Sequence, residues 1–454
     1  MAGLWGQDIL DSTPIEYILT VPAVWSDKAK ADTLACASGA GFRPIETIRL
    51  INEPEAAAVW TFNQLPHTAV KAGDVFITVD AGGGTVDLTT FQILSMSPVL
   101  RVSELTEGGG GLCGSVYLNK RFEDLVERKI GKQLGILSEK EYGVVMQEFQ
   151  SLFNDDIKPD FGVADEPTKT YFIPLPPSVP DDASAGIENG QFAVTAAEMD
   201  GVFSGVVQNI IGLITDQVEK VEEKAGCPEV SAILLVGGFG GSAYLRKAIE
   251  KHFDGSAMPK TGATQPAHAR PAVTRGAMLR GLQGDIVTSR VIRAAYGVVM
   301  YTEWDPAVHE SDTHRKTAEG LKFWSELKEA WCCDSVMSWY VQKGEEFTKE
   351  KVVTASFFRR FVDLTNLVFE TKMIIWSGNG RAPYFKDDDC KAIAILRADF
   401  SKIPKHEIEV ITTPTGRHYR VEYQIEMRFE TRITFRLIYK GKVLSDDLAV
   451  DYGT

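Results

Sequence analysis

An α/β fold joined to a β-rich C-terminal part is what this chain of 454 residues predicts, and three observations carry the prediction. Strand-like and helix-like runs alternate through residues 16–282, the pattern of parallel strands with crossover helices. A helix, strand, helix plan occurs twice there, and only the second copy has three strands in front of it. The first copy therefore reads as a half-domain without its beginning. From Tyr296 onward, apolar and polar residues alternate with period two, as in half-buried antiparallel strands.

Taken in order, residues 16–21 are apolar and β-rich, Ser26-Asp27 caps a helix through residue 40, and Gly39 and Gly41 close it. Residues 45–51 make a second strand, and Pro54 sits in the first turn of an alanine-rich helix running towards Phe62. Residues 75–80, 85–93 and 99–105 read as three strands joined by short Gly or Ser-Pro turns. A helix follows from Ser115, then a looser, Pro-rich and acidic region over 132–190. After it come a long helix over 195–224, a strand over 232–236 and a helix from Ser242. In the last part, residues 420–430 place Val421, Tyr423, Ile425, Met427 and Phe429 on one face. Similar runs at 337–342, 352–358, 372–376 and 392–399, with a turn at 440–442, predict a β-sandwich.

The chain is too long for one ordinary core, and 44% apolar composition predicts two or three globular domains. Its 48 basic and 62 acidic residues give a net charge of −14, which repels a nucleic-acid backbone, and no basic stripe offsets it. No leader pattern opens the sequence and no run is long and apolar enough to span a bilayer, so a soluble, cytoplasmic protein without nucleic-acid or membrane partners is expected. The six cysteines lack the spacing of a zinc or redox motif. The seven histidines, His67, His252 and His309 among them, lack helix-face pairing, which leaves them surface or packing roles.

The most informative run is V-F-I-T-V-D-A-G-G-G-T-V-D, residues 75–87. An apolar strand ends at Asp80, and Gly82, Gly83, Gly84 and Thr85 follow before Asp87. Such a turn lets backbone N–H groups close on a phosphate without Cβ clashes, with two acids placed to hold hydrated Mg²⁺. A Gly-Gly hairpin also joins strands without a ligand, but three glycines exceed that need and the flanking acids repel each other without a cation. Residues 232–244 again lead a buried strand into glycines, Gly237 and Gly238 first, and then a helix. Gly238, Gly240 and Ala243, like Gly109, Gly111 and Gly114, fit a dinucleotide fingerprint, but neither leads into a βα unit with a ribose-binding acid. At 52–58, N-E-P-E-A-A-A, Glu53 lies at a strand-to-helix junction, as a helix-dipole partner or as a water-mediated metal contact.

Together these segments resemble the nucleotide-binding domain of the 70-kDa heat-shock (DnaK-type) chaperones and their divergent actin-like relatives. Residues 20–23 and 52–58 resemble its first connecting region, 80–87 its second phosphate motif and 235–245 its adenosine motif, over about residues 15–282. The resemblance implies a duplicated actin-like (ribonuclease H-like) fold with ATP or ADP and Mg²⁺ between two lobes. Gly82, Gly83, Gly84 and Thr85 would cradle phosphates, Asp80 would orient Mg²⁺ waters, and Glu53 and Asp87 would support metal and the attacking water. Gly237 and Gly238 would lie against the nucleoside, Lys158 on the adenine side, and residues 109–114 would be a tight turn near the ribose, with Gly109 and Gly110 as cofactor contacts. Client polypeptides and co-chaperones would be partners, in a stress response.

Departures from the pattern set further expectations. The family's first phosphate loop and catalytic lysine would lie upstream of Thr20, so the first lobe is expected to be incomplete and poorly stable, and hydrolysis impaired. Phe239, Gly241 and Pro159 replace the family's residues on the nucleoside side. Residues 284–293 lack the acidic, leucine-rich linker, and no helical lid is expected after the last strands. The expected organisation is a lobe I remnant at 1–72, lobe II at 73–285 with an inserted subdomain about 132–190, and a β-rich domain at 286–454 resembling a reduced substrate-binding domain. The competing expectation is a non-catalytic interaction scaffold derived from the same fold.

Overall fold

The computed structural model describes residues 13–42, 47–64, 70–97, 100–164, 166–224, 226, 229–254, 262–266, 269, 271–326, 328–348, 350–413, 416–445 and 449–451. His67, Cys227, residues 452–454 and parts of the strands expected at 45–51 and 99–105 lie outside them. The fold is α/β with several sheets, and the chain divides into two compact units, residues 1–25 with 38–287 and residues 26–37 with 288–454.

In the first unit, β1 (Tyr17–Val21) leads to α1 (Asp27–Gly39), most of which counts with the second unit, and then to β2 (Ile48–Asn52) and α2 (Glu53–Gln64). β1 and β2 pair in parallel, Tyr17 opposite Ile48 through Val21 opposite Asn52, as a sheet of two strands among the described residues. The main sheet is built from β3 (Val75–Ala81), β4 (Val86–Ser95), β5 (Arg101–Glu104) and β6 (Gly109–Gly111), later joined by β10 (Val230–Val236) and β11 (Ala263–Thr264). Its order is β11-β10-β3-β4-β5, with β6 against the start of β4. β10 is parallel to β3 and β11, whereas β3, β4 and β5 are antiparallel.

Both faces of this sheet are covered, which is why β3 reads as one unbroken buried run. Val75, Ile77 and Val79 face a core shared with α3 (Val116–Leu134) and α5 (Ala196–Glu222). Phe76, Phe91 and Ile93 face a second core shared with Val59 and Phe62 of α2. Helices α6 (Ala243–Phe253) and α7 (Ala272–Gln283) complete the layers, and α7 seats Gly276 directly on Ala56 of α2. Beside that contact the buried Glu55 accepts from Arg280 Nε at 3.0 Å, and Asp285 pairs with the same guanidinium.

The described residues of 132–190, expected to be looser, include regular elements. Ser138 and Glu141 form a capping box that starts α4 (Glu139–Leu152), which runs through a π-helical turn at Phe153–Ile157 into Lys158–Asp160. Strands β7 (Thr170–Pro174), β8 (Ile187–Glu188) and β9 (Gln191–Thr195) then form a small antiparallel sheet in the order β7-β9-β8, and Thr195 with Glu198 boxes the start of α5.

Among the described residues, the strands of the second unit form two sheets and, outside them, an antiparallel pair of Val287–Val291 with Glu346–Thr348. Strands β12 (Val287–Val291), β13 (Ala295–Glu303), β14 (Lys322–Ser325), β15 (Ala330–Val341), β16 (Glu346–Thr348), β17 (Val353–Phe361), β18 (Val368–Trp376) and β19 (Lys391–Asp399) come first. β20 (Glu409–Thr413), β21 (Gly416–Phe429), β22 (Ile433–Tyr439), β23 (Lys442–Ser445) and β24 (Ala449–Asp451) follow. One sheet runs β14-β15-β13-β18-β19-β24. The other runs β17-β21-β22-β23, with β20 against β21. Val421, Tyr423, Ile425 and Met427 share a core with Val341, Met373, Ala394 and Leu396 of the first of these sheets. Within residues 284–293, where the family's acidic linker is lacking, Val287–Val291 form strand β12, and its Arg290 is paired with Phe347 of β16.

Candidate functional site

Strand parity decides where the acids of the hairpin point. Asp80 shares its face of β3 with Phe76, and Asp87 shares its face of β4 with Phe91 and Ile93, so both carboxylates stand on the α2 side of the sheet. They are directly opposed across the hairpin and buried. The start of α2, delivered there by β2, adds Glu53. Burial first, then the charges of Glu53 and Asp87, push Asp80 up to about 7. Burial and then Asp87 push Glu53 up to about 7 as well. Among the described residues, no basic group is a cause of the shift of Glu53 or Asp80. Asp87 differs, because its Oδ1 accepts the backbone N–H of Val24 at 3.0 Å, tying the turn after β1 to the hairpin.

Between the acids, Gly82 N–H donates to Thr85 O at 3.0 Å, and Gly83 and Gly84 are exposed. A Cβ on Gly83 or Gly84 would meet nothing in the chain, so the packing of the protein does not require glycine at either position. The glycines around the hairpin behave differently. A Cβ on Gly114 would lie 2.4 Å from Gly83 O, one on Gly110 2.6 Å from Val86 O, and one on Gly237 2.3 Å from Asp80 Oδ1, with Gly237 also at φ +84°. Gly114, Ser115 and Val116 donate their N–H groups to Gly84 O, Gly82 O and Gly83 O, so α3 begins on the back of the turn.

The remaining expected residues fall as follows. Gly109 and Gly110 belong to β6, paired with Leu88 and Asp87, and not to a tight turn, because their backbones continue the ladder of β4. Lys158 Nζ donates to Asn119 Oδ1, to Asn154 Oδ1 and to Ser115 O, and burial lowers it to about 8. Ser115 is thus bonded both to Lys158 and to the hairpin. Gly238 is exposed at the end of β10, and its Cβ position is open.

An Mg²⁺ fits this donor set. Among the described residues, the Glu53, Asp80 and Asp87 carboxylates act on one another without a basic group among the causes for Glu53 or Asp80, and the buried Asn52 Oδ1 beside Glu53 has no hydrogen-bond partner. Among the described residues, no three acidic, histidine or cysteine side chains close around a common point.

Two features escaped sequence reasoning. Val24 contributes a backbone donor, which has no signature in a sequence. Gln217 interrupts the apolar stripe Ile210, Ile214, Val218, Val221 of α5, and that interruption was the available signal. Its Oε1 accepts from Thr90 and Thr106 at 3.0 and 2.9 Å, and its Nε2 donates to Glu107 O at 3.0 Å. Gln217→Ala strips partners from two buried hydroxyls, and is expected to cost about 2–4 kcal/mol in chemical denaturation. A loss below about 0.5 kcal/mol would mean that water replaces the amide.

Comparison with known proteins adds the following. The chain is 26% identical to the chaperone protein DnaK of Thermoplasma volcanium over 276 residues, 60% of this chain and 41% of that protein. It is 23% identical to heat shock 70 kDa protein 12A of Mus musculus over 378 residues, 66% of this chain and 53% of that protein. With DnaK of Burkholderia cenocepacia it shares 24% identity over 295 residues, 64% of this chain and 42% of that one. The chain spans about half the length of the curated relatives it matches. No family model matches it. Among the described residues, no helix is long and apolar enough to cross a membrane.

Proposed function

We propose that this chain, a divergent relative of the 70-kDa heat-shock (DnaK-type) proteins, binds ATP or ADP with Mg²⁺ at the hairpin Asp80–Asp87 and hydrolyses it slowly. The observation that carries the reading is the combination of an open, exposed Gly83-Gly84 turn with buried acids on both sides of it. Backbone N–H groups of 82–85 would receive phosphate oxygens, and Asp80 and Glu53 would hold the hydrated ion, with Asp87 fixing the turn against Val24. The bound ion would neutralise charge on the phosphates. Slow turnover is the reading that the site's charge supports, since among the described residues the charges acting on Glu53 and Asp80 are those of other acids. Phosphoryl transfer depends on placed positive charge, and Lys158 is already held by Asn119 and Asn154. By relationship, a cytosolic chaperone-related role in stress, with client polypeptides and co-chaperones, belongs to the same proposal.

A second reading, a non-catalytic interaction scaffold, draws support from the second unit. Trp324 of β14 and Trp331 of β15 are both exposed and meet edge to face at 5.6 Å, an exposed aromatic pair of the kind partners cover. Thermal unfolding with and without Mg-ATP, alongside phosphate release, separates the two. At 100 times its dissociation constant the ligand should add about 2.7 kcal/mol of stability, and Gly83→Val should remove that gain without lowering the melting temperature of the ligand-free chain. A folded sample indifferent to Mg-ATP would favour the scaffold.

A further inference from the structure

The sequence holds two Asn-Gly pairs, Asn189-Gly190 and Asn379-Gly380, and both asparagines are exposed. An asparagine followed by glycine is open to attack on its own side chain, because the glycine nitrogen can reach Cγ without a Cβ in the way. The fold treats the two pairs in opposite ways. Asn189 and Gly190, at φ +53° and +70°, close the two-residue turn between β8 and β9. Asp181 accepts both of their backbone N–H groups, Asn189 at Oδ2 and Gly190 at Oδ1, each at 2.9 Å. The attacking nitrogen there is bonded to a carboxylate, whose charge opposes loss of its proton. Asn379 and Gly380 lie in the loop after β18. Gly380 is exposed at φ +88°, and among the described residues its N–H donates to nothing. The preceding Gly378 sits against the indole of Trp376, since a Cβ there would lie 2.3 Å from Cζ2. Lys343 Nζ donates to Asn379 Oδ1 at 3.3 Å and to Gly378 O at 3.5 Å. An ammonium only donates, so the side-chain oxygen is the atom that faces it. The turn carrying Lys343 is itself fixed, with Gly344 N–H on Ile292 O at 2.8 Å and Gln342 N–H on Glu345 Oε1 at 2.8 Å.

We propose that Asn379 is a site of covalent self-modification, deamidation through a succinimide formed with Gly380, and that Lys343 promotes it. Gly380 N bonds to Asn379 Cγ, the Cγ–Nδ2 bond breaks, and ammonia leaves with the proton given up by the Gly380 nitrogen. Negative charge collects on Oδ1 as the tetrahedral centre forms, and the Lys343 ammonium is placed on that atom. Water then opens the imide at either carbonyl and leaves aspartate or isoaspartate at 379, with no change in oxidation state. Either product sets a negative charge beside Lys343 where a neutral amide stood. At Asn189 the same reaction would break the bond from Gly190 to Asp181 and build charge near an acid, so that pair should stay intact.

The test is incubation of the full chain in mildly alkaline buffer, folded and in urea, with peptide mass spectrometry reading the mass gain and isoaspartate at each pair. In the folded chain Asn379 is expected to convert at least about tenfold faster than Asn189, whose neighbouring nitrogen must first give up a hydrogen bond to a charged group. In urea the two rates should converge. Lys343→Met should slow Asn379 about fivefold, the worth of one hydrogen bond, and leave Asn189 unchanged. Asp181→Ala should speed Asn189 several-fold and leave Asn379 unchanged, and this arm stands if Lys343→Met does not fold. Asn379 no faster than Asn189 in the folded chain, an unchanged rate in folded Lys343→Met, or the same gap in urea would each overturn the proposal. None of these arms involves the nucleotide site.

Discussion

Asp80→Asn should make the ligand-free chain more stable, by about 2–3 kcal/mol at pH 8, while removing the gain from Mg-ATP. Asp80 is raised from 3.8 to about 7 and Glu53 from 4.5 to about 7, so between pH 4 and 7 the folded chain holds protons that the unfolded chain has released. Stability therefore falls as pH rises through that window. Asp80 alone would account for about 4 kcal/mol at most, from about 1.4 kcal/mol per pKa unit, and its coupling to Glu53 makes the two shifts non-additive. Asparagine keeps the shape that fits beside Gly237 and removes the charge. The measurement is urea unfolding at pH 5.5 and pH 8, with and without Mg-ATP. Wild-type chain should be more stable at the lower pH without ligand and lose that preference with it, whereas Asp80→Asn should show a flatter profile in both. An asparagine variant less stable than wild type at pH 8 would show that the acids are already compensated.

Gly276→Val should be the most damaging single change in the first unit, costing more than about 4 kcal/mol. A Cβ at this position would lie 1.6 Å from Ala56 O and 2.5 Å from the Ala56 carbonyl carbon, and backbone cannot move aside as a side chain does. Separating α7 from α2 would also expose the Glu55–Arg280 pair and release the helix that delivers Glu53. The effect on nucleotide would thus be indirect. Gly83→Val is the matched comparison, since its Cβ meets nothing in the chain. A Gly276→Val chain that unfolds alongside wild type in urea would contradict the contact between α2 and α7.

Much of the first unit could be read from sequence because its strands are apolar runs closed by glycines, as at 75–81 and 230–236. α4 escaped because its apolar stripe is weak and Pro residues around it advertise a loop, although the Ser138/Glu141 box marked its start. Strand β12 escaped because it is short. At the site, the placing of Asp80 opposite Asp87 follows from the hairpin spacing, and their common face follows from period two. The arrival of Glu53 depends on a parallel β1–β2 pair and on helix packing around Gly276, neither of which has a local signal. The strand role of Gly109 and Gly110 was hidden because a glycine run gives no periodicity.

The glycines of the site fall into two groups with different histories ahead of them. Gly110, Gly114 and Gly237 are kept small by neighbouring backbone or by Asp80, so a lineage that abandoned nucleotide would still retain them. The Cβ positions of Gly83 and Gly84 meet nothing among the described residues, and on the proposed reading both would accept alanine or serine by drift once no ligand selected against it. Persistence of the overall glycine pattern in descendants of this chain is therefore a record of packing. On the proposed reading, Gly83, Gly84 and Gly238, whose Cβ positions are open, are the ones that a ligand and not packing would hold.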